Sequence, residues 1–199
     1  MQEKEVWGKL ENKSEFKKKL FEYKGEFGEP NIKVRLSIEI NDYDDKYTDT
    51  RIRITNGESV IMQKVGKWDG SGIIDRKEIE VKIPPDSKEI LKYYKILSNQ
   101  QHSANLQRNI IQSENYIFIT KDFELKLTHQ FGKSHIYHFE VEGLEAGLDI
   151  VESTKGLGLK PNLEPKGEDF WKSHNKKINI DPKDLSEFEF LRLIQKYLK

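Results

Sequence analysis

Two arginines two residues apart, Arg51 and Arg53, and two glutamate pairs with the same spacing, Glu78 with Glu80 and Glu140 with Glu142, are residues whose types and spacing could do chemistry. On a strand, side chains at i and i+2 point to the same face, so each pair sets like charges side by side. Like charges so placed are unfavourable unless something of opposite charge lies between them. Two arginines can hold a polyanion, and two glutamates can hold a hard divalent cation through oxygen ligands. A barrel lined with both would suit a phosphate chain carrying metal ions.

The same alternation recurs in five segments. Val34, Leu36, Ile38 and Ile40 alternate with Lys33, Arg35, Ser37 and Glu39; Ile52 and Ile54 with Arg51 and Arg53; Ile79, Val81 and Ile83 with Glu78, Glu80 and Lys82. Phe123, Leu125 and Leu127 alternate with Glu124, Lys126 and Thr128, and Tyr137, Phe139 and Val141 with His138, Glu140 and Glu142. Ordinary sheets with one solvated face also alternate. Such faces usually favour threonine and serine, whereas these polar positions are mostly Arg, Lys or Glu grouped by sign. Two plainer readings stand beside the functional one: Arg51 and Arg53 as half of a salt-bridge ladder with Glu78 and Glu80, and Glu140 with Glu142 as a solvated strand end. His135 and His138, three apart, point to opposite faces, make a poor metal pair and read as surface or edge residues. KGLGLKP lacks the spacing and ending of a phosphate loop. Trp7, Trp68, Trp171, Tyr93 and Tyr94 read as packing residues.

The elements that must position these charges are mainly strands. Strands are expected at 3–10, 33–40, 50–55, 59–66, 76–83, 105–112, 115–120, 123–131 and 134–142, with Asn56-Gly57 marking a tight hairpin and DGSG (69–72) a looser turn. Helices are expected at 14–23 behind a Ser14 cap, from Asp86 or Ser87 to about 98, near 144–155, and at 182–198. The helix at 86–98 would cover the outside of the sheet through Ile90, Leu91, Tyr94 and Leu97. This is an α+β chain dominated by antiparallel sheet, read as a single domain over 1–199.

Bulk composition narrows the partners. The 199 residues carry 34 basic and 34 acidic side chains, so no net field draws the protein to DNA or an anionic membrane. No cysteine is present, which removes disulfides, thiolate metal sites and a cysteine nucleophile. No stretch approaches the length of a membrane span and the start lacks a signal-peptide core, so a cytoplasmic setting is expected.

Taken in order, the charged motifs resemble those of the CYTH domain, the triphosphate tunnel metalloenzyme family. Glu3-Lys4-Glu5-Val6-Trp7 stands where that family has Glu-x-Glu-x-Lys; Arg51-Ile-Arg53, Lys64 and Glu78-Ile-Glu80 follow, then Arg108, Lys126 and Glu140-Val-Glu142. LGLKPNLEP and FWKSHNKKIN are similar to its segment near the C-terminal end. The departure is Trp7 in the lysine position, with Lys9 on the same face as a replacement. The resemblance implies a closed antiparallel eight-stranded β-barrel with helices outside, and metal-dependent hydrolysis of a triphosphate-containing small molecule. It implies phosphate binding by Lys9, Arg51, Arg53, Lys64, Arg108 and Lys126, and Mg2+ or Mn2+ binding by the catalytic carboxylates Glu3, Glu5, Glu140 and Glu142, with Glu78 and Glu80 in support. Water would attack the terminal phosphorus in line, with no covalent nucleophile. A class IV-type adenylate cyclase, a non-catalytic polyphosphate or nucleotide binder, and a plain scaffold are the alternatives; a monomer or homodimer is expected.

Overall fold

The computed structural model describes residues 2–42, 48–66, 73–100, 106–144, 148–163 and 177–199, without the side chains of 2–4, 42, 73–76, 100 and 106–107. The DGSG turn, Trp68, Trp171 and most of FWKSHNKKIN lie outside these residues. Eight strands are present: β1 (Gln2–Leu10), β2 (Asn31–Asp42), β3 (Thr48–Thr55), β4 (Glu58–Val65), β5 (Ile73–Ile83), β6 (Leu106–Ile119), β7 (Phe123–Phe131) and β8 (His135–Gly143). The helices are α1 (Lys13–Phe27), α2 (Ser87–Gln100), α3 (Ile150–Gly156) and α4 (Glu187–Tyr197), with a 3-10 turn at Pro182–Asp184.

All strand pairs are antiparallel, in the order β1-β5-β4-β3-β2-β6-β7-β8. β1 pairs with β5 along one edge and with β8 along the other, so the order returns to its start as a closed barrel. Asn56 and Gly57 turn β3 into β4 with φ of 49° and 85°, the left-handed pair that a two-residue hairpin of this hand requires.

Four expected boundaries move for local reasons. Asn12, not Ser14, caps α1, its side chain accepting from Ser14 N and Glu15 N at 2.9 and 3.1 Å. β6 runs unbroken where two strands were expected, because Ser113 and Glu114 are paired on both sides, with β2 and β7. The helix expected near 144–155 is the shorter α3, started by the Asp149 side chain accepting from Glu152 N. The last helix begins only at Glu187, where Ser186 and Glu189 form a reciprocal capping box.

The core lies outside the barrel wall. Val6, Phe118, Leu125, Leu127, Phe139 and Val141 pack beneath α1 and α3, with Phe16, Tyr23 and Ile150 opposite them. Leu36, Ile38, Ile52, Ile54 and Ile110 pack beneath α2 and α4, against Ile90, Leu91, Phe190 and Ile194. Tyr94 and Leu97 flank this second cluster, so α2 covers the sheet through the face expected of it. On β1, β2, β3, β6, β7 and β8 the apolar face meets the helices and the alternate face turns to the lumen, whereas Ile79 and Val81 on the outer face of β5 are exposed. Among the described residues no helix is long and apolar enough to cross a membrane.

Candidate functional site

Register fixes which side chains share the lumen. Arg53 lies opposite Ser37, Arg51 opposite Glu39, Asp49 opposite Lys64, and Lys64 opposite Glu78. Across the barrel, Lys126 lies opposite Glu140 and Glu140 opposite Trp7, while Glu142 stands between Glu5 and Glu124. Of the expected site residues, Glu5, Arg51, Arg53, Lys64, Glu78, Glu80, Lys126, Glu140 and Glu142 therefore share one inner wall. Glu3 belongs to the same strand face in β1, but its side chain lies outside those described.

Two expected residues do not join them. Arg108 is paired with Ile40, whose side chain is fully buried on the outer face, and its Nη2 donates to the Ser98 carbonyl of α2 at 3.4 Å. The strand face turned it outward: Ile110 and Phe118, at the same parity of β6, are core residues. Lys9 has the correct parity but is half-exposed and ion-pairs with Glu11 at 3.5 Å, while Trp7 fills the inner position and is 3% exposed.

The inner wall is a lattice of opposite charges. Arg53 Nη1 lies 3.5 Å from Glu78 and 3.3 Å from Glu80, and Lys64 Nζ lies 3.3 Å from Glu78. The ladder of arginines with Glu78 and Glu80 thus exists for Arg53. Arg51 instead ion-pairs with Asp49, to which its Nε donates at 3.1 Å, and with Glu39 at 3.5 Å. Lys126 pairs with Glu140, and His138 Nδ1 lies 3.7 Å from that carboxylate while its Nε2 meets the Gln130 amide at 3.2 Å. Burial alone would raise the Glu140 pKa; Lys126 and His138 beside it hold it down at about 2. Buried His138 replaces the surface histidine expected at this position, and its place beside Glu140 and Glu142 in the alternation was the signal for it.

Arg35, Glu39, Asp49 and Glu124 are lumen residues that motif order did not single out. Burial pushes Glu39 up to about 7 despite Arg51 nearby. The folded chain therefore keeps a proton on Glu39 that the unfolded chain gives up from about 4.5 upward. Stability falls as pH rises from about 4.5 to about 7 and gains nothing back above it. Glu39→Gln is expected to remove this fall, matching wild type under acid conditions and exceeding it at alkaline pH by up to about 3 kcal/mol. Thermal melts across pH check this; parallel profiles for the two proteins would refute the assignment.

The acidic row Glu5–Glu142–Glu124 spans three adjacent strands with no basic residue in register between its members. Carboxylates so placed suit an all-oxygen site for a hard divalent cation. Among the described residues no three His, Asp or Glu side chains converge closely enough to hold a metal on their own.

No protein-family model matches the chain, and no curated protein does. Solved structures do share its fold. The PH1012 protein of Pyrococcus horikoshii matches with a TM-score of 0.59 at 18% identity, over 82% of this chain and 95% of its own. A Hippeastrum protein named as a candidate adenylyl cyclase with a dominant triphosphatase activity matches at 0.56 and 16% identity, over 96% and 95%. A Bacillus halodurans protein named as a candidate adenylate cyclase matches at 0.56 and 16%, over 85% and 97%. At these identities the likeness is one of fold.

Proposed function

We propose that residues 1–199 form one triphosphate tunnel domain, a metal-dependent triphosphatase whose substrate lies in the barrel lumen. The observation that carries this reading is the sharing of one inner wall by Arg51, Arg53, Lys64 and Lys126, each beside a carboxylate, and by the acidic row Glu5–Glu142–Glu124. The motif resemblance and the shared fold with a Hippeastrum protein of dominant triphosphatase activity support it.

In this reading Arg51 and Arg53 grip phosphate oxygens through planar guanidinium forks, and Lys64 and Lys126 add movable point charges. Glu78, Glu39 and Asp49 hold those cations in place while the lumen is without substrate. Glu5 and Glu142, with Glu3 and Glu140 beside them, are the residues to hold Mg2+ or Mn2+. When bound, the metal would neutralise charge building on the transferred phosphoryl group. Water would attack the terminal phosphorus in line, and the surrounding wall would orient the chain for that attack.

One observation favours a second reading, a binder of triphosphate that does not turn it over. Trp7 fills the inner position that carries lysine in the family, and Lys9 is engaged at the rim by Glu11. Cyclisation of a nucleotide with loss of pyrophosphate is the other chemistry such a lumen could host.

The test is release of orthophosphate and pyrophosphate from tripolyphosphate, ATP and thiamine triphosphate with Mg2+, Mn2+ or chelator. Orthophosphate appearing only with metal is expected. Tight binding without release would establish the binder, and pyrophosphate with a cyclic nucleotide the cyclase.

A further inference from the structure

Arg35 is a lumen cation with no carboxylate ion-pair partner among the described residues. Its register neighbours are Thr55 on β3 and Ser113 on β6, both neutral, and its Nε donates to Thr55 Oγ1 at 3.2 Å. Arg51, Arg53, Lys64 and Lys126 each have a carboxylate partner instead.

The near neighbour of Arg35 is another cation. Arg53 stands opposite Ser37, two residues along the same face of β2 from Arg35. Burial and then the charge of Arg53 bring Arg35 down to about 10, and burial with Arg51 lowers Arg53 as well. The two guanidiniums repel in a partly buried wall, and the carboxylates of Glu78 and Glu80 answer Arg53 but leave Arg35 without an ion pair of its own among the described residues.

A separate observation points the same way. Ser37 Oγ and Arg53 Nε are both buried and have no hydrogen-bond partner among the described residues. Each ordinarily finds an acceptor when taken out of water. Across two neighbouring strands the wall thus gathers donors from Arg35, Arg53 and Ser37; Glu78 and Glu80 offset the charge of Arg53, and Glu140 and Glu78 act on Arg35 without an ion pair.

We infer that Arg35, Arg53 and Ser37 form an anion subsite of the lumen that takes one phosphoryl group of the substrate, and that Arg35 sets the affinity for it. The inference rests on the triphosphate reading above and adds a residue outside the motif series. A phosphoryl group suits the donors because it offers several free oxygens to two planar forks and a hydroxyl. The proposed metal side of the lumen lies on other strands, β1, β7 and β8, so a cation there would meet another part of the same phosphate chain.

The test measures binding of inorganic tripolyphosphate by calorimetry, in chelator and in Mg2+, with thermal melts of the ligand-free proteins. Arg35→Gln is expected to weaken binding about ten- to a hundredfold while leaving the ligand-free melting temperature equal or higher. Arg35→Lys should recover part of the affinity, since it keeps the charge and loses the fork. Ser37→Ala should weaken binding by a smaller factor. An Arg35→Gln protein that binds like wild type overturns the subsite. So does a melting temperature that falls along with the affinity, because Arg35 would then be supporting the fold. Wild type that fails to bind tripolyphosphate at all would instead remove the triphosphate reading itself.

Discussion

The double variant Glu140→Gln, Glu142→Gln is expected to lose metal-dependent phosphate release by about a thousandfold or more, while still folding and binding triphosphate. Glu142 sits between Glu5 and Glu124 in the acidic row, so its amide removes the central charge of the proposed metal side. Glu140 is ionised at any pH above about 2, and its loss leaves Lys126 without its carboxylate partner. Both changes make the lumen more positive, so metal-free affinity for tripolyphosphate should hold or rise as turnover disappears. Phosphate release and calorimetry on the same preparation separate the two effects. Turnover surviving in the double variant would place the metal carboxylates elsewhere on the wall.

Gly8→Ala should be among the most damaging single substitutions to the fold. A Cβ at Gly8 would lie 2.4 Å from the Lys160 carbonyl oxygen and 2.4 Å from the Phe139 ring. The chain at 157–163 crosses β1 there, held by Asn162 N donating to the Trp7 carbonyl at 2.9 Å and by Tyr23 donating from its hydroxyl to the Leu157 carbonyl at 2.9 Å. Backbone on one side and a fully buried ring on the other leave no flexible atom to yield. A loss of about 3 kcal/mol or more is expected, lowering the melting temperature by roughly 6–12 °C. A variant that melts with wild type would mean that the crossing segment lifts away easily.

The inner wall was legible in the sequence wherever charges came in pairs. Arg51 with Arg53, Glu78 with Glu80, and Glu140 with Glu142 each announce a strand face, and the face follows from parity alone. Arg108 was assigned by its order among motifs. Within 105–112 both faces carry isoleucine, Ile110 and Ile111, so parity there left its face undecided, whereas the unbroken β6 aligns it with Ile110 and Phe118 on the outside. Arg35 and Glu39 were visible as polar positions, Arg35 paired with Lys33 and Glu39 set apart from both by Ser37. Their importance comes from Arg53 and Arg51 on the next strand, a relation that depends on register and not on spacing within one segment. Closure is likewise a pairing between the first strand and two distant ones, to which local periodicity is blind.

That pairing has a kinetic consequence. β1 has its partners in β5 and β8, so the first strand of the chain cannot complete both edges until most of the remaining sequence is in place. Until then the arginine and glutamate faces belong to an open sheet bathed in water, and their desolvation falls on the closing step. Contacts this distant along the chain slow folding. Substitutions that lighten the charge of the lumen, such as Glu39→Gln above a pH of about 7, would therefore act chiefly on the rate at which the ring closes or reopens, and β1 would be the strand whose amides report that opening in hydrogen exchange.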